Sequence, residues 1–164
     1  MSQTEKTPWH VVAGRVCFTV ALVGTVVFIF GNSMQIAQVS GAHRRQVMEL
    51  VNRLFGVVGI GPFSEHFIRK LAHFTEFCMM GFWFMLCLRV YTRHFIKHVS
   101  WPLFLGLLTA VLDETIQLYV PGRSSSVSDV LLDFSGVVCG LFVALLLLMF
   151  ARMCAILYRH RNEV

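Results

Sequence analysis

A chain of 164 residues has the length of one domain, and it is 56% hydrophobic and only 14% charged, with a mean hydropathy of +0.68. That apolar excess excludes an ordinary water-soluble core and points to the membrane. The formal charge of +5 comes from basic residues spread among membrane-flanking segments rather than gathered in one stripe, which argues against nucleic acid and for anionic lipid head groups as the partner.

A helix needs about 20 apolar residues to cross the hydrocarbon core, and four stretches supply or nearly supply them: 11–30, 67–90, 101–120 and 127–150. The first is interrupted by Arg15, whose stem lets the guanidinium snorkel to the interface. Phe30, Gly31, Asn32, Ser33 and Met34 follow it with no small-residue cleavage pattern, so it reads as a retained span rather than a signal peptide. Residues 43–58 repeat Val47, Leu50, Val51, Leu54, Phe55 and Val58 opposite Arg44, Arg45, Glu49, Asn52 and Arg53, the pattern of an amphipathic helix lying on the membrane surface. Gly59, Gly61 and Pro62 then break the chain, and Ser64 stands where a cap for the second span is needed. The expected fold class is all-α: a single membrane domain over 1–164, with about four spans and this interfacial helix between the first and second.

Four spans put both termini on one side, together with the loop 89–100. Arg89, Arg93 and Lys97 in that loop, with Lys6, Arg152, Arg159 and Arg161 near the ends, mark it as cytoplasmic. Arg44, Arg45, Arg53, Arg69, Lys70 and Arg123 fall on the other side and weigh against that orientation. Cys17, Cys78, Cys87, Cys139 and Cys154 lie in or beside apolar runs without CxxC spacing, which indicates neither a disulfide framework nor a zinc site.

Charged side chains inside a span cost about 2.5–3.5 kcal/mol each at the centre by insertion scales, so they need partners or a task. The second span carries Arg69, Lys70, His73, Thr75 and Glu76, with Arg69, His73 and Glu76 spaced four and three on one face. The third carries Asp113, Glu114 and Gln117. Asp113 and Gln117, four apart, form the facing pair, while Glu114 points about 100° away and is expected to pair with a cation. The fourth carries Asp129 and Asp133, continued on the same face by Gly136 and Gly140, which would admit a close neighbour. Ser128 beside Asp129 fits a helix cap. Counted at 1.5 Å per residue, His73, Asp113 and Asp133 all lie roughly 9–13 Å deep from one side, and the loop 121–126 brings Arg123 over them. Taken singly, each has an ordinary reading, as interfacial anchors or as ion pairs such as Asp113 with Arg123 and Glu76 with Lys70. Their shared depth on three helices indicates one site.

Residues 64–77, 113–123 and then Asp129, Asp133 and Gly136 closely resemble the VanZ-like family. Its pattern falls here on Lys70, His73, Glu76, Asp113, Glu114, Gln117, Pro121, Gly122, Arg123, Asp129 and Gly136, over a motif region of about 64–140. The resemblance implies a multi-pass protein of the bacterial cytoplasmic membrane, in a family whose founding member is linked to teicoplanin resistance. By the family's grouping with lipid head-group enzymes, it also implies a hydrolase or transferase of phosphate-linked head groups on lipids or lipid-linked envelope precursors, acting near the outer face.

For that chemistry Arg123, Lys70 and Arg69 are the expected phosphate ligands, with Gln117 and Asp129 lining the site. His73 is the expected base or nucleophile, Glu76 its orienting acid, and Asp113 and Glu114 the other acids of the reaction. Glu76, Asp113 and Asp129 would also supply hard oxygen ligands to a divalent metal, although no spacing demands one. Two other readings stand beside the enzyme: a non-catalytic binder that shields a lipid-linked precursor or the antibiotic, and a proton-coupled transporter using the intramembrane acids.

Overall fold

The computed structural model describes residues 8–34, 49, 53, 64–92, 94–123 and 125–161, none of them in a strand. In chain order the helices are α1 (Trp9–Ser33), α2 (Glu65–Tyr91), the single turn α3 (Phe95–His98), α4 (Ser100–Leu118) and α5 (Val127–Arg161). Among the described residues, three segments are long and apolar enough to cross a membrane, Val11–Ser33, His66–Tyr91 and Val127–Arg161. The chain is an all-α, multi-pass integral membrane protein. The surface helix expected over 43–58 lies outside the described residues, apart from Glu49 and Arg53.

The third expected span differs from the others in composition. At 19 residues α4 is about 28 Å long, close to the roughly 30 Å hydrocarbon thickness. Ser100, Trp101 and Pro102 at one end and Asp113, Glu114 and Gln117 at the other leave it less apolar than its neighbours. It stops at Leu118, and a turn follows: Arg123 N–H donates to Val120 O at 3.2 Å, with Pro121 and Gly122 as the central pair. Gly122 has φ 79°, the left-handed value that the second central residue of a type II turn requires. Helix α5 instead runs beyond its expected end at 150. No glycine or proline occurs from Leu141 to Arg161, and residues 151–161 are all exposed.

The principal packing is α2 against α5, with α1 on α2 and α4 on α5. Glycine makes it possible. A Cβ on Gly140 would overlap the carbonyl oxygen of Cys78, one on Gly81 would overlap that of Val137, and one on Gly136 would come within 2.6 Å of Phe74 O. The two backbones therefore touch directly, as small residues permit in membranes. Phe77, Met80 and Val137 are fully buried at this contact, Ile29 of α1 joins them in the same core, and Phe84, Met85, Leu141 and Ala144 continue it away from the acids.

Isolated hydroxyls are satisfied within their own helices: Thr25, Thr75, Thr109 and Thr115 each donate to the carbonyl four residues back, and Ser135 to Leu132 O. At the end of the bundle where α1 begins and α2 ends, Arg15 Nε donates to Val90 O at 3.0 Å and its guanidinium lies 5.3 Å from the Tyr91 ring centroid. The Tyr91 hydroxyl is 3.1 Å from Thr19 Oγ1. All five cysteines are free thiols.

Candidate functional site

The other end of the bundle gathers the acids. Four helices and one loop contribute: the last residues of α1, the first half of α2, the last turns of α4, the turn after it, and the first turns of α5. Local sequence sets each approach. Ser64 caps α2 by accepting from Phe67 N at 3.2 Å, which fixes where the helix bearing Arg69, Lys70, His73 and Glu76 begins. Ser126 does the same for α5, accepting from Asp129 N at 3.3 Å and donating to Asp129 Oδ2 at 2.9 Å. Ser126 thus takes the role expected of Ser128, whose hydroxyl lies 2.7 Å from it.

On α4 the facing pair forms as its spacing indicates. Gln117 Nε2 donates to Asp113 Oδ2 at 2.8 Å, with both side chains buried. Glu114 is also buried, but it accepts from the backbone N–H of Ser126 at 3.2 Å, so it holds the α4–α5 connection rather than a cation. Both neighbours can be buried because helices pack on more than one side of α4.

Lys70 pairs with Asp129 at 2.8 Å, joining α2 to α5, and not with Glu76. Glu76 Oε1 accepts from Asn32 Nδ2 at 2.9 Å, and the carbonyl of Asn32 accepts from Arg123 Nη2 at 2.8 Å. The ordinary ion pairs Asp113–Arg123 and Glu76–Lys70 are thus replaced by a relay through α1. His73 Nδ1 lies 3.8 Å from Asp113 Oδ2, an electrostatic contact longer than a hydrogen bond. The acid beside the imidazole is therefore Asp113, and the acid expected to orient it, Glu76, is secured by Asn32.

Sequence reasoning found α1 as a span but missed its contribution to the site. Asn32 and Ser33 read as loop after an apolar span, yet the helix carries them into the bundle, where Ser33 is fully buried and Gln117 Nε2 approaches its hydroxyl at 3.4 Å. Thr25, Ile29 and Ser33 recur every four residues and are the buried face of α1, a period that was available to find them.

Arg69, Lys70, His73, Glu114, Gln117, Asp129 and Asp133 line one cavity of about 10 Å³. That is roughly the 10–15 Å³ one water needs. Its inner wall, Glu114, Gln117 and Asp133, is buried, while the Lys70 side chain at its edge is 31% exposed. A second cavity is of another kind: about 630 Å³, almost wholly apolar, along the seam of α1 and α2 from Ile68 to Trp83, with Glu76 in its wall.

Asp133, placed in the site by its depth beside His73 and Asp113 but given no role in the chemistry, is the most isolated of these acids. It is 1% exposed, and neither carboxylate oxygen has a hydrogen-bond partner among the described residues.

No curated protein and no solved structure matches the chain. The VanZ/LLP1 family model matches residues 18–149, which takes in every helix contributing to the acid cluster, and the chain belongs to that family.

Proposed function

We propose that the chain hydrolyses or exchanges a phosphate-linked head group on a membrane lipid or lipid-linked envelope precursor, at the outer face of the bacterial cytoplasmic membrane. The observation that carries this reading is the position of Glu76, which lies in the wall of the apolar groove and is also tied through Asn32 to Arg123. The groove follows α2 from Ile68 to Trp83, about 22 Å, the dimensions of an extended hydrocarbon chain rather than of a soluble substrate. A chain lying there would carry its polar end toward the acid cluster.

Cavity size decides where the phosphate would sit. A space for about one water cannot take a phosphate group, so the phosphate belongs at the partly exposed edge beside Lys70 and Arg69, with Arg123 approaching from the turn. Those cations would offset charge on the phosphoryl oxygens. The buried interior would then hold the attacking water. His73 takes a proton from that water as its oxygen bonds to phosphorus, the phosphorus–oxygen ester bond breaks, and the imidazolium returns the proton to the leaving oxygen. Asp113, fixed by Gln117, orients the imidazole. With an alcohol in place of water, the same steps exchange the head group. Altered envelope head groups would be the route to any part in glycopeptide resistance.

The transporter reading finds no support in the packing. Beyond the acids the core of the described residues is apolar, through Phe77, Met80, Val137 and Leu141, and offers a proton no relay.

The test is purified protein in liposomes with a panel of phospholipids and polyprenyl phosphates, followed by mass spectrometry. Released or exchanged head group with the native protein and none with His73→Gln is the expected result. No product across the panel, with lipid or glycopeptide binding retained in both proteins, would replace the enzyme by a non-catalytic shield.

A further inference from the structure

Asp133 is an acid without a use in the chemistry above. A carboxylate nine-tenths buried with both oxygens lacking a hydrogen-bond partner is expensive to keep in a membrane interior. Its strongest electrostatic neighbours are themselves carboxylates, Asp113 first, then Glu114, Asp129 and Glu76. Among the described residues, Arg69, Lys70 and Arg123 are the cations at this end of the helices, and Lys70 is paired with Asp129 rather than with Asp133. One donor atom from each of His73, Asp113 and Asp133 lies within 4.8 Å of the others. Asp113 brings an oxygen, Oδ1, that accepts no hydrogen bond, because Gln117 engages its Oδ2.

We infer that His73, Asp113 and Asp133 form a binding site for one divalent cation, bridging α2, α4 and α5. Two observations converge on it. The adjoining cavity, which His73 and Asp133 line, has room for one water-sized occupant. Ligand bonds of about 2.0–2.2 Å would be reached from the present spacing by side-chain shifts of about 1 Å or less.

One imidazole with two carboxylates suits a first-row ion of the zinc or manganese kind better than magnesium, which prefers an all-oxygen shell with several waters. Gln117 would be the outer partner that orients Asp113. The inference rests on the proposed phosphate chemistry only for its purpose: an ion would take the space given above to the attacking water, His73 would be a ligand rather than the base, and the ion would lower the pKa of a water reaching it from the partly exposed edge beside Lys70.

The test measures binding directly. Purified full-length protein in detergent is stripped with a chelator, reloaded with Zn²⁺, Mn²⁺ or Mg²⁺, and analysed for bound metal and for its melting temperature. The expected result is one equivalent of Zn²⁺ or Mn²⁺ per chain, a rise in melting temperature on loading, and little bound Mg²⁺. Asp133→Asn keeps the shape of the side chain and should weaken binding at least about a hundredfold, since loss of an outer partner alone costs roughly 10–100-fold. The rise in melting temperature should vanish with it.

No bound metal in the native protein, or binding unaffected by both Asp133→Asn and His73→Gln, overturns the site. Should Asp133→Asn not fold, native loading against His73→Gln decides. No bound metal with head-group turnover intact would sink the metal site and leave the lipid enzyme standing; specific metal binding without turnover on any lipid would do the reverse.

Discussion

The two ends of the bundle solve the problem of polar groups in a membrane differently. At one end a single cation, Arg15, meets a backbone carbonyl and an aromatic face, and Tyr91 meets a threonine. These three side chains partner one another and the backbone, and nothing in their arrangement needs a substrate. At the other end five acids, three cations and a histidine are drawn from three helices and a turn. The polar atoms that stay unmatched, such as those of Asp133, are buried. The first end is an anchor; the second carries more buried charge than anchoring requires, which is where function is to be sought.

The sharpest way to break that contrast is through the packing that creates it. Gly140→Val would drive side-chain atoms into the Cys78 carbonyl and the Phe82 amide on α2. We expect a loss of at least about 3 kcal/mol, the upper range for overpacking, read as failure to obtain folded protein in detergent. Gly14→Ala at the other end meets only Val90 at 3.9 Å and Phe18 at 4.0 Å, and its melting temperature should be unchanged or slightly higher.

Gln117→Leu removes the donor to buried Asp113 Oδ2, at a cost of about 1–3 kcal/mol in thermal unfolding. Gly122→Ala forces a side chain onto φ 79°, at roughly 1–2 kcal/mol. Because Arg123 follows directly, its effect on head-group turnover should exceed its effect on unfolding. Arg15→Gln should cost about 1 kcal/mol or less and leave turnover unaltered.

Much of this architecture was legible in the sequence because it is periodic. Asp113 and Gln117 are four apart and pair; Gly136 and Gly140 are four apart and admit α2; Ser64 caps the helix it precedes. What could not be read is which partner each charge takes across helices. Lys70 and Glu76 are six apart and cannot meet on one helix, but which acid of another helix Lys70 reaches is set by packing, which brings it to Asp129. Glu114 faces away from Asp113 on an isolated helix, yet the returning chain covers it with the Ser126 amide. Asn32 and Ser33 were hidden by the end of the apolar run, although the buried period through Thr25 and Ile29 extends to Ser33.

The most direct test of a functional end and an anchoring end compares Glu76→Gln with Arg15→Gln in the same liposome assay, on proteins matched for melting temperature. Head-group release lost with Glu76→Gln and kept with Arg15→Gln is the predicted result. Release retained by a folded Glu76→Gln protein, or lost equally in both, would contradict it.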